Sequence, residues 1–376
     1  MLLTLILCSR NDEYMGNSRW RLETTLNSLG ESVRRHGRTH DVEVLVADWG
    51  SDVPLADVVN LEPAAAEIVS FLTIPPAVAR AHQGDSPFPE VLALNAAARR
   101  ARGEYIGRID QDTIVGDWFF RWIFDAAMAR EERRETTLWF ANRREVPFRL
   151  AVRCPERRHI GRFIRLFGRW LPVRRGNKWF AHEYWSSSVG IWLAHRRLWE
   201  ECRGYDERMI YYNWMETDMI RRLRQAYPLA DLGDLTGYDF YHLEHYHPRL
   251  AATARAHVKK NPDIDRLSRP PVMRPNSHTW GLGDCEIAAR ASATAYAPQP
   301  RPGMAAVRDA AAFAAMMLRL APALVVDSVA ILCARGFDIV SRRARAAAQA
   351  LAGRPMLQWP ETLWKLWHTR RVDRAR

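Results

Sequence analysis

The chain has 376 residues, 48% apolar and 26% charged, with 55 Lys and Arg against 43 Asp and Glu and a net charge of +12. This globular composition excludes a wholly disordered, collagenous or low-complexity chain, and the length allows one large domain with an appendage, or two domains. The basic surplus predicts attraction to phosphates, nucleic acid or an anionic membrane surface, and much of it falls between Arg301 and Arg376, where 13 basic residues stand against 5 acidic ones.

The opening run Leu2–Cys8 is short and follows no basic residue, so it reads as a buried strand rather than a secretory signal. The strand reading covers Leu2–Leu7, a continuous apolar run as in a strand covered on both faces. A polar loop, Ser9-Arg10-Asn11-Asp12, ends it. A helix is expected over about Ser18–His36, from the spacing of Trp20, Leu22, Leu26, Leu29 and Val33. Val42–Ala47 is a second strand, stopped by the turn residues Asp48–Asp52. Ile68–Ile74 is a third apolar piece, closed by Pro75-Pro76. Pro89–Arg102 is an Ala-rich helix with Gly103 as the expected C-cap, and Glu104–Ile109 is a short strand ending in Asp110-Gln111-Asp112.

Strand–helix alternation predicts a mainly parallel sheet with helices on both faces. Ligands bind such sheets at the carboxyl ends of the strands, where the clusters Ser9–Asp12, Asp48–Asp52 and Asp110–Asp112 all fall. Further on, residues 149–180 turn basic and aromatic; Arg157–Trp179 reads as a lid, a site for a lipid phosphate or anionic acceptor, or a solvated surface. Trp185–Leu198 reads as a strand entering a helix, Gly204–Glu207 as a turn, Tyr212–Gln225 as a helix, and Tyr241–Pro248 as a His-rich strand end.

Asn261–Pro302 is rich in Pro, Gly and Ser, like a linker. Met304–Leu351 is Ala-rich and helical, but Arg319, Pro322 and Asp327 interrupt its apolar part, which favours an interfacial or packed hairpin over a membrane span. The tail mixes Trp359, Trp364 and Trp367 with Lys365, Arg370, Arg371 and Arg374, which suits a membrane interface or packing on the domain. The five cysteines, Cys8, Cys154, Cys202, Cys285 and Cys333, are scattered without a C-x-x-C pair, against a zinc ribbon or disulfide framework and consistent with a reducing cytosol.

Two carboxylates two residues apart at a strand end, Asp110 and Asp112, can share a divalent metal that also holds a pyrophosphate; they can also simply cap the next helix. The stretch Leu94–Asp112 around them (LNAAARRARGEYIGRIDQD) resembles the donor-site signature of family 2 glycosyltransferases with the GT-A fold. In order along the chain, Ser9-Arg10-Asn11 is similar to that family's nucleotide-contacting loop, and Val46–Ser51 to V-D-D-G-S with Asp48 on the position that receives the nucleobase. Gly204–Glu207 is similar to G-G-F-D-E, with Arg203 replacing the first Gly. Met215–Met219 is similar to E-D-x-D-L.

The resemblance covers about residues 1–250. It implies an α/β, Rossmann-like GT-A domain, a mixed, mainly parallel sheet flanked by helices, with a C-terminal helical extension. The divisions expected are 1–255 for the catalytic domain, 256–302 for a linker or covering segment and 303–376 for a basic helical extension. It implies Ser9, Arg10, Asn11, Asp48, Asn95, Arg99 and Asp110 as donor contacts, with Arg10, Arg99 or Arg108 reaching the phosphates. Metal ligands would be Asp112 and Asp110, completed by a late His, with His245 preferred over His242 and with His247 on the loop before Pro248. Glu216 falls in the catalytic-base column, with Met215 in the preceding acidic column; Asp218 is the second choice and a helix-start acid.

The activity implied is metal-dependent, inverting transfer of a sugar from a nucleotide sugar, UDP favoured over GDP, with Mn²⁺ or Mg²⁺. The acceptor is a saccharide or lipid-linked hydroxyl in cell-surface polysaccharide or glycolipid synthesis. The expected location is cytoplasmic, peripheral at an anionic inner membrane face. A GT-A scaffold that only binds partners at the membrane is the alternative that Met215 leaves open. A nucleotidyltransferase is disfavoured because Leu7–Gly16 holds no Gly-rich loop with Lys. No nucleic-acid partner is expected, since no helix-turn-helix, zinc-finger or RNP motif occurs.

Overall fold

The computed structural model describes residues 1–125, 135–171, 173, 189–211, 214–245, 261, 271–293, 305, 307–322 and 325. In chain order the strands are β1 Leu3–Ser9, β2 Val42–Trp49, β3 Val69–Ile74, β4 Tyr105–Arg108, β5 Thr113–Val115, β6 Leu138–Asn142, β7 Arg144–Val146, β8 Val189–His195, β9 Leu229–Asp231, β10 Phe240–Leu243 and β11 Ala289–Arg290. The main sheet runs β11-β3-β2-β1-β4-β8-β6-β9, and β5-β10-β7 form a smaller one.

The neighbours β3, β2, β1 and β4 are all parallel. Strand β8 is antiparallel to β4 and β6, and β11 is antiparallel to β3. The sheet is therefore mixed and mainly parallel in its first half, as the strand–helix alternation predicts.

The largely apolar runs of β1 and β2 are buried on both faces, with Thr4 donating to Glu43 at 2.9 Å where they are polar. Leu3, Leu5 and Leu7 of β1 face one core with Leu22, Leu26, Leu29 and Val33 of the Ser18–Arg35 helix. Ile6 faces the other core, with Leu45 of β2 and Ala93, Ala96 and Ala97 of the Glu90–Arg100 helix. Side chains alternate across a strand, so one apolar run can serve two layers of helices. Each fully buried Leu or Val contributes about 1.5–3 kcal/mol.

Two sequence expectations change in the structure. The Ala-rich helix ends at Arg100, and Gly103 is not its cap. A Cβ there would overlap the backbone of Leu3 and Thr4, so Gly103 permits close approach to β1, where its N–H donates to Thr4 Oγ1 at 2.8 Å. Second, residues 271–293 are not a free linker. Trp280 and Leu282 are buried in the second core, Asn276 bonds the Arg203 and Tyr205 carbonyls, and β11 closes the edge of β3. Of the readings of the C-terminal extension, the packed one describes its start: Phe313 and Leu320 join Ile160 and Phe163 in a third core. His247, the Trp-rich tail and Cys333 lie outside the described residues.

Candidate active site

The loops after β1, β2 and β4 meet at the carboxyl edge of the sheet. The Asn11 amide donates to Ser51 Oγ at 2.8 Å, Asn11 Nδ2 to the Val53 carbonyl at 2.9 Å, and the Ser9 hydroxyl to Gln111. Arg10 pairs with Asp12 at 2.6 Å and donates to the Pro87 carbonyl at 2.7 Å. Asp48 is fully buried, and both its oxygens serve its own loop, accepting from the Ser51 hydroxyl and the Leu55 amide. Burial pushes its carboxyl above the usual range, against those two hydrogen bonds. Here Asp48 is the brace of the 48–55 loop.

Asn95 and Arg99 do not reach this edge. Their helix runs from Glu90, at the carboxyl end of the strands, back to Arg100, and nine residues of helix separate Glu90 from Arg99 by about 13 Å. Asn95 Nδ2 donates to the Tyr205 carbonyl and to Glu207, while its Oδ1 accepts from the Tyr205 amide at 2.8 Å. Arg99 donates to the carbonyls of His278 and Trp280. Both hold the Gly204–Glu207 turn and the 276–285 segment in place. That turn keeps its left-handed backbone without the first glycine: Arg203 stands at φ 54 and Gly204 at φ 70.

At the carboxyl edge the charges form two clusters. In the first, Arg108 is buried and faces three carboxylates: Glu90 at 2.6 Å, Asp110 at 2.7 Å and Glu216 at 3.2 Å. Glu216 lies in the first turn of the Met215–Leu223 helix, which starts after Trp214 at φ 75. Burial, with the negative charges of Glu90 and Asp110, raises Glu216 to about 7 despite Arg108. Burial first, then Glu90, also pushes the neighbouring Cys8 thiol well up. Arg108 Nε and the Tyr205 hydroxyl are buried donors with no partner among the described residues. Asp218 is turned to its own helix, pairing with Arg222 at 2.8 Å.

In the second cluster Asp112 is buried between two histidines. His242 Nε2 lies 3.3 Å from Asp112 Oδ1, and His245 Nε2 lies 3.6 Å from Oδ2. Arg21, itself held by the Tyr14 and Gly16 carbonyls, donates to Asp112 Oδ2. Burial acts to raise the Asp112 carboxyl, but His242 and Arg21 outweigh it and hold the group below its ordinary range. His242 Nδ1 meets Glu145 Oε2 at 2.6 Å, which fixes the ring with Nε2 toward Asp112. Asp110 is not in this group; Arg108 and Arg143 take its two oxygens. Arg143 also meets Glu145 at 3.3 Å, so one chain of charges links Glu216 to His242.

One carboxylate and two imidazoles suit a divalent first-row transition ion such as Mn²⁺ better than Mg²⁺, which prefers oxygen ligands. Ligand atoms in adjacent positions at about 2.1 Å from one such ion lie roughly 3 Å apart, and the ligand atoms of Asp112, His242 and His245 lie within 4.8 Å of one another. Each of the two buried ligands has its second atom engaged, Asp112 by Arg21 and His242 by Glu145, as oriented metal ligands do. The donor set therefore fits the ion. Glu90, Arg21, Arg143 and Glu145 escape a reading of the sequence because each meets the site from a distant segment; only the placement of Glu90 one residue after Pro89, at a helix start, hints at a role.

No protein-family model matches the chain, and no curated protein matches it. Among solved structures the chain is similar to residues 1–349 of S. aureus TarS, with 13% identity over 64% of this chain and 60% of that one, TM-score 0.42. It is similar to the same fragment in complex with UDP-GlcNAc, with 13% identity over 66% and 60%, TM-score 0.39. It is also similar to the catalytic domain of Drosophila β1,4-galactosyltransferase 7 in complex with xylobiose, with 10% identity over 71% of this chain and 79% of that one, TM-score 0.35. The chain thus spans about three fifths of the TarS fragment it matches.

Proposed function

We propose that the chain is a metal-dependent, inverting glycosyltransferase that moves a sugar from a nucleoside-diphosphate sugar to a hydroxyl of a saccharide or lipid-linked acceptor. UDP is the favoured nucleotide, from the habit of the family that the chain resembles, and GDP is the alternative. The observation that carries the reading is Glu216: a buried carboxyl whose proton affinity lies near neutrality, at about 7, on the sheet edge that also holds Asp112, His242 and His245. A general base works best with its pKa near the operating pH.

In this mechanism Glu216 takes the proton of the acceptor hydroxyl. The hydroxyl oxygen attacks the anomeric carbon, and the bond from that carbon to the diphosphate breaks with its electron pair leaving on the diphosphate. Arg108, paired with Glu216 and Asp110, and Arg143, paired with Asp110 and Glu145, hold these carboxylates in fixed positions, so the base is oriented before the acceptor arrives. A divalent ion held by Asp112, His242 and His245 would neutralise the leaving diphosphate.

The test is thermal stabilisation by UDP, GDP, CMP and ADP, each with and without Mn²⁺, because a ligand bound only to the native state raises the unfolding midpoint. UDP is expected to raise it only when Mn²⁺ is present. If no nucleoside diphosphate stabilises the protein, the donor-site reading fails and the scaffold alternative takes its place.

A further inference from the structure

Strand β10 has two differently charged sides. His242 belongs to the chain of charges at the site, whereas its neighbour Tyr241 faces the other way, as alternate strand residues do, and packs closely on Gly168. On that side the Arg157–Phe167 helix buries His159, Ile160 and Phe163. Its end and the Gly168–Trp170 turn present the opposite character. Arg165, Leu166, Phe167, Arg169 and Trp170 are all exposed, Trp170 to 85% and Leu166 to 55%. Trp118, 49% exposed, stands beside them, with the Arg121 and Arg169 guanidinium carbons 5.2 and 5.4 Å from its ring centroid. Of the nearby acids, Asp117 is met by Arg35, His36 and Arg121, Glu31 by Arg157 with Arg165 also near it, and Asp239 by the Trp118 amide.

Exposed apolar residues scattered singly are ordinary; here Leu166, Phe167 and Trp170 fall within five residues, and Arg169 joins them to Trp118. We propose that this surface docks the domain on an anionic phospholipid bilayer. Trp rings settle at the headgroup level, Leu166 and Phe167 can enter the acyl boundary, and Arg165, Arg169 and Arg121 complement lipid phosphate. A nucleic acid would use the arginines and stack on Trp170, but it has no use for Leu166, which gains only from an apolar phase. The docking itself does not depend on transfer chemistry.

The test is co-sedimentation of the full chain with vesicles of phosphatidylcholine, alone or with phosphatidylglycerol. Binding is expected to need phosphatidylglycerol and to weaken with salt. Phe167→Ser/Trp170→Ser and Arg165→Glu/Arg169→Glu should each lower partitioning by at least about tenfold. These side chains are exposed, so unfolding midpoints should hold; should one pair misfold, the other still decides. Binding that survives both pairs, or no binding by the wild type, overturns the proposal. So does an oligonucleotide bound with the Arg165/Arg169 dependence when vesicles are not. A dimer in sedimentation velocity that Phe167→Ser/Trp170→Ser abolishes, with vesicle binding unchanged, would assign the surface to a second copy instead.

Discussion

Asp110 and Asp112 stand two residues apart on one turn, and the fold uses them oppositely. Asp110 is held by two guanidinium groups, Arg108 and Arg143, and belongs with Glu90 and Glu216. Asp112 is buried against His242 and His245, with Arg21 donating to its Oδ2. A pair of acids spaced as in D-x-D is thus divided between a cluster that sets the proton affinity of a carboxyl and a cluster with metal-ligand chemistry. The lesson is that spacing brings two carboxylates to one place, while their partners decide what each one does.

The sharpest way to test this division is to remove one member of each cluster. Glu216→Gln is expected to lower kcat by about 10²–10⁴-fold while leaving UDP affinity with Mn²⁺ unchanged by calorimetry; full activity would move the base elsewhere. Asp112→Asn should show the reverse order of effects, losing Mn²⁺-dependent nucleotide binding before any rate is measured. Glu145→Gln, acting through the His242 ring, should weaken Mn²⁺ affinity by about 10–100-fold, read from manganese paramagnetic resonance, with the Glu216 pH profile unmoved. If all three variants fail in the same way, the two clusters are one.

Asn95→Ala separates a structural role from a donor contact. It removes three hydrogen bonds between the Glu90–Arg100 helix and the Gly204–Glu207 turn. The expected cost is about 2–4 kcal/mol in denaturant unfolding, with nucleotide affinity of the folded protein unchanged.

The smallest effects are in pH. Because Glu216 must be deprotonated to act, kcat/KM should rise with pH through about 7. Glu90→Gln removes a neighbouring negative charge that raises Glu216, so the midpoint of that limb should move to lower pH. The stability linkage has the opposite sign. A carboxyl raised from 4.5 to about 7 binds more protons folded than unfolded, so its contribution is present at low pH and is lost as pH rises between those values. Glu216→Gln should therefore gain stability over the wild type at pH 8, by about 1–3 kcal/mol, and lose that gain by pH 4. An equal difference at both pH values would refute the titration.

Much of the fold was legible in the chain. Runs such as Leu3–Leu7 and Val42–Ala47 are apolar but for Thr4 and Glu43, which points to cover on both faces, and the leucines of Ser18–Arg35 repeat at helical spacing. Those patterns lead to a mainly parallel sheet with polar loops at its carboxyl edge. Less could be read for residues 271–293, because their Pro and Gly content resembles a linker and only contact with Arg99, Arg100 and β3 makes them part of the domain.

The site divides in the same way. Sequence alone determined that Asp110, Asp112 and Glu216 stand at strand and helix ends, because local patterns fix where elements stop. Only the tertiary structure decided which acid meets which cation. Arg21, Arg143 and Glu145 reach the site across gaps of 91, 33 and 97 residues, and no local pattern encodes pairings over such distances. The direction of the Glu90–Arg100 helix was also decided there, and it sends Asn95 and Arg99 away from the carboxyl edge. Proton affinity comes last in this order, since burial and charge are properties of the assembled neighbourhood and not of the residue.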